Sequence, residues 1–257
     1  MANIRKNISP PETDEMFARI SRRYDFLNTV MTAGRHYSWR KKAVDCISTN
    51  LVDEKILDIA TGTGDFAIAL SGKFKTCRVI GLDSVPETLH IATSKTRKKG
   101  MAKNLRYVMG DAHHLPFPSE QFKCTTVGFG LRNFFDIKKA LREMVRVTHQ
   151  GGHVITLEIV KLAGSNPIAK IFPVYFKFIT PILGTILAGN RAAYRYLPQS
   201  VKNFKTADEL SEIMEEVGLS KVSYQKLALG TIAIHIGEKS KQGNLPNASH
   251  RQSNQSS

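Results

Sequence analysis

The segment Lys55-Ile56-Leu57-Asp58-Ile59-Ala60-Thr61-Gly62-Thr63-Gly64-Asp65 constrains this chain more than any other: a short β-branched run breaks into a glycine-rich turn that carries two carboxylates. A strand feeding such a turn lets backbone N–H groups approach a nucleotide closely, with a helix N-terminus behind them. A second apolar run, Arg78-Val79-Ile80-Gly81-Leu82-Asp83, also ends in an acid. That acid lies about twenty residues past the glycines, the distance at which a βαβ unit places its ribose-binding carboxylate. Together they predict a site for an adenosine-containing cofactor built on Gly62, Gly64 and Asp83.

Gly62-Thr63-Gly64-Asp65-Phe66-Ala67 satisfies the G-x-G-x-x-G/A pattern of dinucleotide sites, so a nicotinamide enzyme is the first alternative. Asp65 weighs against it. The residue falls near the start of the next helix, where a pyrophosphate needs N–H donors and no neighbouring negative charge. Asp58, at the end of the first strand, faces the same crevice and can accept hydrogen bonds from an ammonium group. S-adenosylmethionine has an ammonium, a sulfonium and no phosphate. The string from Asp58 to Gly64 resembles the first motif of the class I S-adenosylmethionine-dependent methyltransferases, an acid followed by alternating glycines. Ala60 replaces the usual first glycine, adding one methyl group where backbone approach matters.

A chain of 257 residues with 42% hydrophobic composition can bury one substantial α/β core, so one catalytic domain with accessory segments is expected. Thirty-seven Lys and Arg against 22 Asp and Glu give a net charge of +15. That charge admits nucleic acid, an anionic membrane surface or a merely basic exterior. Cys46, Cys77 and Cys124 lie far apart and form no C-x-x-C pair, which implies neither a disulfide framework nor a zinc site. No clustered ligand set for any metal stands out. Met1–Glu15 lacks an apolar core and contains Pro10 and Pro11, so it does not read as a secretory signal and a cytoplasmic protein is expected.

Helical spacing of Met16, Phe17, Ile20, Tyr24, Leu27, Val30 and Met31 predicts helices over 1–50, broken at Gly34 and packed on the core. Strands at 77–83, 105–111, 123–130 and 153–159 follow the opening strand, with a helix over 137–148 stopped by Gln150-Gly151-Gly152. This alternation predicts an α/β fold, a doubly wound Rossmann-like sheet with helices on both faces, its cofactor core spanning 51–160. Residues 161–205 are apolar and aromatic-rich and read as a lid or substrate-binding insertion. Within them Phe172–Gly189 is interrupted by Lys177 and two prolines and is no bilayer span. A helix at 206–217 and strands at 221–229 and 231–238, joined around Gly230, complete the sheet over 206–239 with an antiparallel hairpin. The Ser-, Asn- and Gln-rich stretch 240–257 is expected to be disordered.

Three further strings are not required by a cofactor site. They are Tyr24-Asp25-Phe26-Leu27-Asn28 with Gly34, His36, Trp39 and Arg40; Gly110-Asp111-Ala112 with Leu115-Pro116-Phe117-Pro118 and Phe122; and Gly128-Phe129-Gly130-Leu131-Arg132-Asn133. With them the chain resembles the C-methyltransferases of ubiquinone and menaquinone biosynthesis, from about Met16 to Glu238. The resemblance implies methyl transfer from S-adenosylmethionine to a ring carbon of a polyprenylated quinol, with demethylmenaquinol ahead of a ubiquinone precursor. It carries cofactor contacts to Thr63, Asp83, Asp111 and Ala112; where some members have a contacting serine, this chain has Gly128.

A ring carbon becomes nucleophilic when its neighbouring hydroxyl ionises, so the site needs a base or a cation there. His36 titrates in the range for a base, and Arg132, beside Asn133, can stabilise a phenolate. Their structural alternatives are a His36 bonded within the N-terminal helices and an Arg132 fixing its loop through an acid such as Asp136. Trp39 reads as core, and His113 and His114 as a polar loop. Peripheral contact with the inner membrane face fits the prenylated substrate; oligomeric state is left open, a homodimer included. An RNA methyltransferase is the rival suggested by the charge, but the fourth strand lacks an Asn/Asp-Pro-Pro-aromatic string and Cys124 does not follow a proline, so no specific nucleic acid is expected. A non-catalytic quinone- or membrane-binding module is the other rival.

Overall fold

The computed structural model describes residues 10–47, 51–162 and 200–240. Phe172–Gly189 and the stretch from 241 onward lie outside the described residues. Pro10 and Pro11 open helix α1 (Pro10–Thr32), where a missing N–H costs nothing. Ala33 and Gly34, at φ 48° and 74°, end it as the sequence predicts, and α2 (Arg35–Asp45) starts at once. α2 turns His36, Arg40, Ala43 and Val44 inward at helical spacing.

The core then runs β1 (Lys55–Ile59), α3 (Asp65–Lys73), β2 (Arg78–Asp83), α4 (Pro86–Lys98), β3 (Leu105–Met109), β4 (Phe122–Gly128), α5 (Ile137–Val147), β5 (Thr148–Ile159), α6 (Ala207–Glu216), β6 (Leu219–Leu227) and β7 (Ile232–Lys239). Seven strands form one sheet in the order β3-β2-β1-β4-β5-β7-β6. The first five are parallel to one another, and β7 runs antiparallel to both β5 and β6. The predicted hairpin therefore closes the edge beside β5, with β7 as its inner strand. From β1 the strand order runs outward to β3 and resumes on the other side at β4, which opens a crevice at the carboxyl ends of β1 and β4.

Side chains of a strand alternate between its faces. Leu57 and Ile59 of β1 join Leu141, Met144, Leu210 and Met214 under α5 and α6, whereas Ile56 joins Val44, Phe66 and Leu70 under α2 and α3. Asp58 shares the face of Ile56. Asp136 starts α5 by accepting the Lys139 N–H at 2.9 Å, and a Thr206–Glu209 capping box starts α6.

One element differs from expectation. α5 stops at Val147, and Gln150-Gly151-Gly152 lies inside β5 instead of before it. Phe122 pairs with Thr148 and Cys124 with His153, so several β5 residues oppose Lys123 alone in a bulge, with Gly151 at φ 68°. The glycines serve a kink within a strand, a use that a sequence cannot distinguish from a turn.

Candidate active site

Ile59 and Val127 lie side by side at the ends of β1 and β4, and the loops leaving them wall a cavity of about 320 Å³. Of the residues singled out from sequence, Gly62, Asp83, Asp111, Ala112 and Asn133 line it. Asp83 ends β2, where its Oδ2 accepts the Gly62 N–H at 2.7 Å and its Oδ1 the Val85 N–H at 3.0 Å. Burial raises its pKa, and these hydrogen bonds only partly offset that. Gly62 sits at φ 55° with open space where a Cβ would project, so the glycine keeps that part of the cavity free. Asp111 accepts from the His113 N–H at 2.9 Å and pairs with His113 Nδ1 at 2.7 Å and His114 Nδ1 at 3.3 Å. Burial pushes its pKa up, but the His113 and His114 bonds outweigh it and the carboxyl is lowered. The two histidines thus fasten an acid of the cavity.

Five candidates turn elsewhere. Asp58, on the α3 side of the sheet, accepts from Thr61 Oγ1 at 2.6 Å and Thr126 Oγ1 at 2.8 Å and braces the loop from beneath. Burial raises its pKa to about 6 against those hydrogen bonds. Thr63 donates its hydroxyl to Asp25 of α1, and Gly64 starts α3 at φ 84° with Tyr107 against it. His36 is 2% exposed, its Nδ1 2.6 Å from the Arg40 guanidinium and its Nε2 3.2 Å from the Thr29 hydroxyl. Burial first, then the Arg40 charge, lower its pKa to about 4. This matches the alternative of a histidine bonded within the N-terminal helices. Arg132, in a short 3-10 turn after β4, donates to Glu158 Oε1 at 2.7 Å and to the Phe129 carbonyl. Its acid is Glu158 and not Asp136, which is occupied in capping α5.

Ala60 and Phe129, both lining the cavity, adopt φ of 51° and 61°. A left-handed conformation costs a residue with a Cβ about 1–2 kcal/mol, so two of the chain's strained positions sit at the rim of the cavity. The Ala60 substitution is thus less neutral than one added methyl suggests. At Gly128 an added Cβ would lie 2.7 Å from the Phe66 ring, so that ring packs directly against the backbone at the end of β4.

Three groups escaped the sequence reading. Asp14 of α1 lines the cavity and accepts from Ser84 Oγ at 3.2 Å; burial raises its pKa, with the Asp111 charge adding to it. Nothing in the pattern of α1 distinguishes it from a solvated acid. Lys95 of α4 bridges Asp25, at 2.8 Å, and Asp65, tying α4 to α1 and α3. Glu158 stands one residue before the end of β5, much as Asp83 ends β2, so the signal of an acid near the end of an apolar strand is present in the sequence.

The lining includes Asp14, Asp83 and Asp111 and, among the described residues, neither Lys nor Arg, although the chain carries +15. A phosphate-free, cationic cofactor such as S-adenosylmethionine fits these residues; a pyrophosphate does not. Among the described residues, no group of three or more His, Cys, Asp or Glu is arranged to hold a metal ion.

Residues 6–239 match the model of the ubiE/COQ5 methyltransferase family. The chain is similar to the demethylmenaquinone methyltransferase of Thermus thermophilus, 39% identical over 224 residues covering 87% of this chain and 100% of that protein. It is also similar to the ubiquinone/menaquinone biosynthesis C-methyltransferase UbiE of Haemophilus ducreyi, 35% identical over 87% of this chain and 86% of that one. Among solved structures, an S-adenosylmethionine-dependent methyltransferase from Thermotoga maritima shares the fold with a TM-score of 0.60 at 19% identity, covering 88% of this chain and 98% of that one.

Proposed function

The chain belongs to the ubiE/COQ5 methyltransferase family, and from that premise we propose that it C-methylates the ring of a polyprenylated quinol with S-adenosylmethionine, converting demethylmenaquinol to menaquinol. The observation that carries the cofactor half is the cavity itself, whose described lining holds three carboxylates and neither Lys nor Arg. When bound, S-adenosylmethionine supplies an electrophilic methyl group on a sulfonium. Gly62, Asp83, Asp111 and Ala112, which line the cavity, would hold it, with Thr63 and Gly64 completing the loop behind them. Asp83, kept rigid by the Gly62 and Val85 N–H groups, offers the acceptor that ribose hydroxyls need.

At the acceptor end, Asn133 lines the cavity and can donate to the quinol oxygen as charge develops there. Arg132 works from behind the lining, with its charge shared with Glu158. His36 titrates too low to retain a quinol proton near neutral pH, so we assign it to packing α1 against α2. Holding methyl and ring carbon in line supplies most of the acceleration.

The prenyl tail needs an apolar wall, and Phe172–Gly189 is the segment whose composition suits it. No helix among the described residues is long and apolar enough to cross a membrane. We therefore assign the basic surface to peripheral contact with an anionic membrane face, where such a tail resides.

The test is transfer of labelled methyl from S-adenosylmethionine to reduced demethylmenaquinol, to a reduced demethylated ubiquinone precursor and to bulk RNA in parallel. Label in the naphthoquinol is expected, and its loss with the oxidised quinone would support the phenolate route. Label in the benzoquinol alone would select the ubiquinone branch, the second reading favoured by relatives named for both quinones. Label only in RNA, or none despite cofactor binding, overturns the substrate assignment.

A further inference from the structure

A cavity that takes a sulfonium is poorly served by a buried cation behind its wall. Arg132 is such a cation: its side chain is 8% exposed, and its neighbours Phe129, Gly130, Asn133 and Phe134 all line the cavity. Glu158, 1% exposed on its side chain, answers it. Oε1 lies 2.7 Å from the guanidinium and also accepts the Ile159 N–H at 2.9 Å, while Oε2 accepts the Arg132 N–H at 3.3 Å. The carboxylate therefore binds both the charge and the backbone of the turn that leads to Asn133. It comes from the end of β5, a rigid central strand, and not from the loop it restrains.

We infer that Glu158 is a positioning residue that cancels the Arg132 charge and thereby lets the cavity prefer a sulfonium cofactor over its neutral thioether product. The inference rests on S-adenosylmethionine as the cofactor. Glu158 does not line the cavity and acts through Arg132. With the pair intact, the carboxylates of Asp14, Asp83 and Asp111 dominate the field at the lining. Arg40 is the other buried cation at this loop, its guanidinium 5.2 Å from the Phe129 ring centroid, and Asp58 lies on that same side of the sheet. Both are unchanged in the variants below, so they do not alter the comparison.

The test is equilibrium binding of S-adenosylmethionine and S-adenosylhomocysteine to the full chain and its variants. Glu158→Gln keeps the shape and one acceptor but removes the charge. Its affinity for S-adenosylmethionine should fall about tenfold relative to that for S-adenosylhomocysteine. That tenfold change in the ratio is about 1.4 kcal/mol. Arg132→Met, which leaves the carboxylate alone, should move the ratio the opposite way, and the double variant should return it to that of the unaltered chain. Glu158→Asp, with the charge kept, should leave it near the starting value. Packing damage lowers both affinities together and does not move the ratio. If Glu158→Gln does not fold, the opposite shift in Arg132→Met carries the test. An unchanged ratio in a chain that binds S-adenosylmethionine overturns the inference. Failure of the unaltered chain to bind S-adenosylmethionine overturns the cofactor reading instead.

Discussion

Replacing Asp58 with Asn asks whether this acid is a strut of the glycine loop or a ligand of the cofactor. In the fold it is 1% exposed and takes hydroxyl donors from Thr61 and Thr126. Burial moves its pKa from 3.8 to about 6, so the folded chain holds the Asp58 proton more tightly than the unfolded chain does. Its contribution to stability is therefore fully present below the unfolded pKa of 3.8 and is lost as pH rises through 6. A gap of about two units is worth about 3 kcal/mol, of which about 2 kcal/mol disappears between roughly pH 4.5 and roughly pH 7.5. Asparagine has no such proton. Urea unfolding of both proteins at the two pH values should show the difference, natural chain minus Asp58→Asn, falling by about 2 kcal/mol over this interval. Cofactor affinity at neutral pH should change by less than about tenfold, because the side chain lies beneath the loop and outside the lining. Parallel pH dependences would refute the burial argument. A well-folded Asp58→Asn chain that no longer binds cofactor would restore Asp58 as an ammonium acceptor.

Two shorter predictions concern residues on either side of the lining. Asp83→Asn should weaken S-adenosylmethionine binding by about 1.5–3 kcal/mol, the worth of hydrogen bonds to a charged group. Because burial raises the Asp83 pKa, binding by the unaltered chain should begin to weaken above the ordinary carboxylate range as pH falls, a trend that binding isotherms across pH can check. His36→Asn should leave the pH–rate profile unchanged between about pH 5.5 and 8, since an imidazole titrating at about 4 is neutral throughout; loss of a limb in that window would reinstate it as the base.

The scaffold was legible because its signals are local. A β-branched run ending in Asp58 and a glycine turn, and a second ending in Asp83, need no knowledge of what packs on them, and Gly34 and Gly230 punctuate the chain where expected. The direction of a side chain is a different matter. Period-two alternation, followed from Ile56, puts Asp58 on the α3 face, yet its position at the strand end invited the assumption that it faced the crevice. Motif alone points Thr63 and Arg132 at the ligand, but their hydrogen bonds are decided by residues 38 positions earlier and 26 positions later, Asp25 and Glu158. Such pairings are fixed only by the sheet and by the helix laid across it. Gln150-Gly151-Gly152 reads as a turn in the sequence for a related reason, because a bulge takes its meaning from the partner strand at Lys123.

The position of β7 between β5 and β6 has a consequence for the order in which the molecule can be made. β1 to β5 can accumulate from neighbouring strand–helix units as they are synthesised, but β5 then waits with one edge bare until the chain has continued from Ile159 to Ile232. Val154, Ile155 and Leu157, fully enclosed at the end, stand on that waiting strand. A bare apolar edge is a template for another copy of itself, and a pairing so distant in sequence forms slowly. The hazardous interval in this protein's life thus lasts from the completion of β5 until β7, the last of the described strands, has been made.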